Sequence, residues 1–221
     1  MKKVFSILMV FTLMFSLVAC SNNTNEEETS APTQESSLQS SVITEEQNTS
    51  SESTGEPTDE TGSKSLVVYF SWSGNTENVA KSIQSQTDSN IFEIIPATPY
   101  SDDYDTVVDL AQEEQRNNAR PAISGSIENI DQYDIVYVGF PNWWGDMPMI
   151  LYTFFDTYDL SGKTVALFCT SGGSGLSNTV NEVKELEPNA TVTEGLHIGS
   201  GSSSNPDNAV NKWLNDIGLA K

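Results

Sequence analysis

Sorted into apolar and polar positions, the chain falls into three zones. Residues 4–19 (VFSILMVFTLMFSLVA) are almost unbrokenly apolar, residues 21–63 hold no aromatic side chain, and from residue 64 short apolar runs alternate with amphipathic stretches. Four runs read as buried strands: SLVVYF (65–70), DIVYVGF (134–140), KTVALFCT (163–170) and, more weakly, SNIFEIIP (89–96). Their β-branched and aromatic continuity predicts a sheet covered on both faces. A fifth strand is predicted within ATVTEGLHIG (190–199), with Gly195 as a break. Helical periodicity falls between them, over 76–86, 104–118, 147–158, 175–186 and 205–218, with Ser, Asn and Asp at the starts as expected N-caps. Regular alternation of strand and helix implies a parallel sheet with right-handed crossovers.

In such a sheet, ligands bind beyond the carboxyl ends of the strands, where strand order reverses. Three loops leave predicted strand ends with unusual compositions: SWSGNT (71–76), PNWWGDMP (141–148) and TSGGSG (170–175). In the first, Ser71, Ser73, Asn75 and Thr76 offer side-chain donors, Gly74 permits a tight turn, and a helix follows at once. The free N–H groups and dipole of a helix start favour an anion, so this loop can hold a phosphate without a cationic side chain. The GxxxxGK[ST] and GxGxxG patterns are absent, which argues against nucleotide triphosphate hydrolysis and a dinucleotide site. In the second loop, neighbouring Trp143 and Trp144 cannot point the same way. One is expected to pack on the domain and the other to offer a flat face to a planar ligand. The third loop, from Ser171 through Gly172, Gly173 and Ser174 to Gly175, carries backbone N–H groups able to bind ring carbonyls or an anionic ring edge. Each loop alone also reads as an ordinary turn, packed aromatics or a linker. Together they describe a site for a phosphorylated planar heterocycle.

At this point the chain resembles a known family. SWSGNT is similar to the T/S-x-T/S-G-N-T phosphate loop of flavodoxins. YFSWSGNTENVA, RPAI, YDIVYVGFPNWWGDMP, LSGKTVALFCTSGGSG and the terminal KWL resemble a bacterial flavodoxin-like branch over nearly all of 64–221. The resemblance implies an α/β three-layer sandwich with a five-stranded parallel sheet in the order 2-1-3-4-5, and FMN at the switch point. It implies that Ser71, Trp72, Ser73, Gly74, Asn75 and Thr76 hold the FMN phosphate. Likewise Pro141, Asn142, Trp143, Trp144 and Gly145 would flank the isoalloxazine, and Ser171 to Gly175 would meet its pyrimidine edge. The chain departs from familiar short-chain flavodoxins in lacking a tyrosine-bearing third loop, and it has no long insertion in the last strand.

The other two zones bear on location. MKK, the apolar run and Leu17-Val18-Ala19-Cys20 resemble a bacterial lipoprotein signal (1–19), with Cys20 the lipidated new N-terminus. Two or more acyl chains would hold the product firmly on the outer face of the cell membrane. The Ser/Thr/Glu-rich segment 20–63 cannot bury enough apolar surface to offset its ordering entropy. It is expected to be a disordered tether, spanning roughly 35–40 Å as a coil.

Net charge is −21 over 221 residues, which disfavours nucleic acid as a partner. Ten of the 31 carboxylates lie in the tether and two of the ten basic residues in the leader, leaving 64–221 acidic in its own right. One histidine, His197, and one distant cysteine, Cys169, cannot build a metal site. Cys169 reads as a small buried hydrophobe, His197 as a structural residue and Arg120 as half of a surface ion pair. No protein residue is assigned a catalytic role, since the chemistry would belong to the flavin. The expected partners are a redox protein or a small oxidised acceptor. A surface binding module that keeps the fold without FMN is the competing reading.

Overall fold

The computed structural model describes residues 63–221. The leader, Cys20 and all but the last residue of the tether lie outside the described residues. Along the chain run β1 (Ser65–Tyr69), α1 (Asn75–Thr87), β2 (Asn90–Glu93), β3 (Ile95–Pro96), α2 (Tyr104–Arg116) and β4 (Ile123–Ser124). They continue as β5 (Ile135–Pro141), α3 (Met149–Thr157), β6 (Thr164–Ser171), α4 (Thr179–Leu186), β7 (Thr191–Val192), β8 (Leu196–Gly199) and α5 (Asp207–Asp216).

The main sheet is parallel throughout, in the order β2-β1-β5-β6-β7, with β8 also paired to β6. Counted as five strand positions, this is the order 2-1-3-4-5. The predicted fifth strand is split: β7 and β8 occupy one position, and the break covers 193–195. Gly195 accounts for it, since a Cβ there would lie 2.7 Å from Leu176 Cδ1 and 3.2 Å from the Leu167 carbonyl oxygen. The weak run 89–96 is also divided. After β2, Ile94 turns into the core, and β3 pairs antiparallel with β4 in a separate two-stranded sheet.

Alternation along β1 shows why both faces must be covered. Leu66, Val68 and Phe70 enter one apolar cluster with Ile150, Phe154 and Val183 of α3 and α4. Val67 and Tyr69 enter another with Val79, Ile83, Val210 and Trp213 of α1 and α5. α2 packs beside α3 and buries Val107 and Ala111. Each fully buried large apolar side chain contributes about 1.5–3 kcal/mol. One close packing depends on a missing side chain: a Cβ on Gly139 of β5 would sit 2.0 Å from the Phe168 ring.

Among the five α-helices of the described residues only α2 is capped as the sequence predicts, Asp103 Oδ1 accepting from Thr106 N–H at 2.9 Å. The other four have no side-chain cap. At α1 this is informative, because hydroxyl and amide groups stand all around its start.

Candidate functional site

β1, β5 and β6 are adjacent in the sheet, so the three loops predicted to carry chemistry leave its carboxyl edge side by side. Direct bonds stitch them together: Phe70 N–H donates to Gly139 O at 3.0 Å, and Asn142 N–H to Thr170 O at 2.9 Å. The hydroxyls of Thr76 and Thr170 lie 2.8 Å apart in the buried zone between α1 and β6.

In the first loop Gly74 takes the N-cap position of α1 with φ +80°, a left-handed angle that side chains resist. A Cβ there would meet nothing within 4 Å, so the backbone angle and not space calls for glycine. The side chains that could cap the helix are directed elsewhere. Asn75 donates its amide to Ser73 Oγ at 3.0 Å and accepts from Ser203 Oγ at 2.6 Å. Thr76 is occupied by Thr170. Ser71 Oγ is buried and has no hydrogen-bond partner. A buried hydroxyl left alone costs about 1–3 kcal/mol, and the first-turn N–H groups of α1 are open beside it. That combination suits an oxyanion supplied from outside.

The second loop closes on itself. Trp143 N–H donates to Asp146 O at 2.8 Å and Asp146 N–H to Trp143 O at 3.1 Å. Trp144 and Gly145 between them both have positive φ, 55° and 83°, the mark of a two-residue primed turn. Asn142 Oδ1 accepts from Gly145 N–H at 3.1 Å. The two tryptophans divide as expected. Trp143 packs edge-on against Phe70 and Tyr100, ring centroids 5.4 and 5.3 Å away. Trp144 stands at the turn tip, 51% exposed, its indole N–H donating to Val108 O of α2 at 2.9 Å. A bulky residue at positive φ costs on the order of 1–3 kcal/mol, a strain that clusters at ligand sites.

The third loop departs from expectation. Two of the N–H groups read as free donors are spent inside the loop: Gly173 and Gly175 both donate to Ser171 Oγ, at 3.2 and 3.1 Å. Ser171 Oγ also lies 2.8 Å from His197 Nε2. Gly172 and Ser174 are exposed at the loop's outer edge. Cys169 is fully buried, its thiol donating to Gly175 O at 3.1 Å, and burial pushes that thiol up to about 12. It packs as a small hydrophobe, as the sequence suggests.

A fourth wall joins Trp72, assigned to the phosphate loop, to residues of α2 that were not among the assigned cofactor residues. Trp72 does not reach toward the α1 start; its indole donates to Ser101 O at 2.9 Å and its ring lies 6.1 Å from that of Tyr104. A cavity of about 290 Å³ opens between this wall and the tryptophan turn, lined by Trp72, Tyr104, Val107, Asn142, Trp144 and Gly145 among others. The apolar spacing Tyr104, Val107, Val108, Ala111 on α2 was the available signal. Ser203, which orients Asn75, was equally unassigned; the GSGSSSN run at 199–205 carries it. A larger cavity, about 600 Å³, lies at the other end of the sheet among Lys64, Asp88, Tyr133 and Lys221, away from the strand ends where ligands bind.

Behind the turn sits a small acid network. Tyr152 Oη donates to Asp146 Oδ2 at 2.8 Å and approaches Glu182 Oε2 at 3.3 Å. Desolvation first, and then Asp146 beside it, push the Glu182 carboxyl up to about 7. Arg120 pairs with Asp156 at 2.5 Å and lies over the Tyr152 ring at 5.1 Å, the surface ion pair the sequence suggests.

A family model described as flavodoxin matches residues 64–217. Among solved structures, the chain is similar to a candidate flavoprotein from Bacteroides eggerthii (34% identity, TM-score 0.64), over 71% of this chain and 99% of that one. Another from Bacteroides uniformis has 32% identity and a TM-score of 0.63, over 70% and 99%. A flavoprotein in complex with FMN from Lactobacillus acidophilus has 28% identity and a TM-score of 0.56, over 69% and 99%. No curated protein matches the chain. With the parallel 2-1-3-4-5 sheet and the loops at its switch point, the match over 64–217 places this chain in the flavodoxin family.

Proposed function

We propose that the domain binds FMN and works as an electron carrier on the outer face of the bacterial membrane, tethered through a lipidated Cys20. The observation that carries the reading is the start of α1, an uncapped helix N-terminus beside the partnerless hydroxyl of Ser71, next to an aromatic-walled cavity. The FMN complex of the Lactobacillus acidophilus relative supports the same cofactor. In this reading Ser71 and Ser73 to Thr76 hold the phosphate, Trp72, Tyr104 and Trp144 wall the ring, and the 172–175 loop meets its polar edge. FMN supplies single-electron and hydride chemistry when bound.

A cavity of about 290 Å³ has room for one planar ring system and little for a second molecule, which favours electron transfer to a docked protein over reduction of a small substrate. Exposed Asp102, Asp105, Asp109 and Glu113 beside that cavity suit a basic redox partner.

The test is titration of the full-length chain into FMN and, separately, into riboflavin. Quenching of flavin fluorescence at one equivalent of FMN is expected, with riboflavin bound about tenfold or more weakly for want of the phosphate. A colourless protein that leaves FMN fluorescence unchanged would exclude the reading and favour a binding module that keeps the fold without the cofactor.

A further inference from the structure

His197, the single histidine of the chain, stands on β8 beside the glycine loop. Its Nε2 lies 2.8 Å from Ser171 Oγ, which also accepts from Gly173 N–H at 3.2 Å and Gly175 N–H at 3.1 Å. A serine hydroxyl has one proton to donate and two lone pairs to fill. With both lone pairs taken by the glycines, the hydroxyl proton is directed at His197 Nε2, the arrangement that goes with the Nδ1–H tautomer. The chain of bonds continues. Gly175 O accepts from Asn142 Nδ2 at 3.0 Å, and Asn142 Oδ1 accepts from Gly145 N–H at 3.1 Å. An exposed ring at the sheet edge is thus linked, bond by bond, to the turn that carries Trp144.

We propose that His197 is the positioning residue of this site and makes its cofactor affinity depend on pH. As a neutral acceptor it holds the glycine loop, and through it the tryptophan turn, in the binding shape. A proton on Nε2 sets a third donor against a hydroxyl with two lone pairs. Either a glycine N–H loses its partner or the ring leaves, and the bond chain opens at its first link.

Other ionisable groups near His197 do not substitute for it. Glu194 and the Lys212–Asp216 ion pair of α5 line a shallow pocket with it. Across from it on β6 is Cys169, whose buried thiol, pushed up to about 12, stays neutral at pH 5–8. The loop facing it, residues 172–178, contains no titratable side chain. Imidazole is the side chain that ordinarily changes charge between pH 5 and 8.

The proposal rests on the FMN reading above, and its test separates the two. In the FMN-free full-length chain, ¹⁵N resonances of the ring at pH 8 should show the Nδ1–H tautomer. The amide resonances of Gly173 and Gly175 should move together with those of the ring between pH 8 and pH 5. A ring protonated on Nε2 at pH 8, or glycine amides indifferent to its titration, overturns the proposal. FMN affinity is then compared at pH 8 and pH 5 in the wild type and in His197→Gln, whose neutral oxygen can replace the acceptor. The phosphate of FMN also titrates near pH 6, but equally in both proteins. The wild type should lose about fivefold to tenfold more affinity than the variant, the worth of one hydrogen bond. Equal losses overturn the proposal. Failure of the wild type to bind FMN at either pH would sink the FMN reading and the affinity half of this one, while the ring resonances judge the linkage by themselves.

Discussion

Ser71 carries a buried hydroxyl that costs the fold stability and that the proposed site would put to use. Its buried hydroxyl has no partner, although donors and acceptors crowd the loop around it. Ser71→Ala should therefore leave the stability of the FMN-free protein unchanged or raise it by about 1 kcal/mol, while weakening FMN about tenfold. Urea unfolding and an FMN titration on the same variant check both signs, and a large loss of stability would mean that the hydroxyl already has a folded-state partner. Composition made this loop legible as an anion site, because hydroxyls, a glycine and a helix start coincide in six residues. It could not say which hydroxyl is free. Thr76 and Asn75 look equivalent to Ser71 in sequence, and only the neighbouring Thr170 and Ser203, far along the chain, take them out of play.

At the scale of elements, the turn 143–146 and α4 meet through a carboxyl pair held by Tyr152. Glu182 keeps its proton to about pH 7 in the folded chain against an ordinary value of 4.5. Between those values the unfolded chain binds fewer protons than the folded one, so stability falls as pH rises through that window. Glu182→Gln should flatten the fall, which is on the order of 1 kcal/mol once solvent screening is allowed for. Denaturant midpoints at pH 5 and pH 7.5 measure it, and parallel losses in the two proteins would refute the assignment. Strand and helix positions were legible because period-2 and period-3.6 patterns are local. Helix caps were not: the hydroxyl-rich stretch before α1 promised a cap, but Asn75 and Thr76 serve contacts with Ser203 and Thr170 instead. Gly195 was readable as a break, whereas the need for glycine at 139 shows only in the fold, where the Phe168 ring fills its side-chain space.

The whole molecule adds location and field. The sequence of 1–20 supports a lipid anchor, and the acidity of 64–221 would keep the domain off anionic lipid headgroups at the end of its tether. Cys20→Ala should move the protein from the membrane pellet to the soluble fraction after lysis and fractionation; retention in the pellet would remove the anchor from the proposal. Topology and cofactor class were legible together, since a parallel sheet dictates where loops converge and three such loops had matching chemistry. The α2 wall was legible only in part: the spacing of Tyr104, Val107, Val108 and Ala111 marks an apolar face, but not that it stands opposite Trp144.

The sheet register also sets an order of events during synthesis. Ser65 pairs with Ile135, and Pro141 in turn with Thr170, so the centre of the sheet joins segments far apart along the chain. Such non-local pairings form slowly, after loop closure has been achieved. A chain emerging from its N-terminus exposes the strand before α1 long before either neighbour of the site exists. The three loops become a pocket only when β6 docks, near the end of assembly. In the proposed reading, FMN would then find a complete binding site only on a domain whose central strands have already paired.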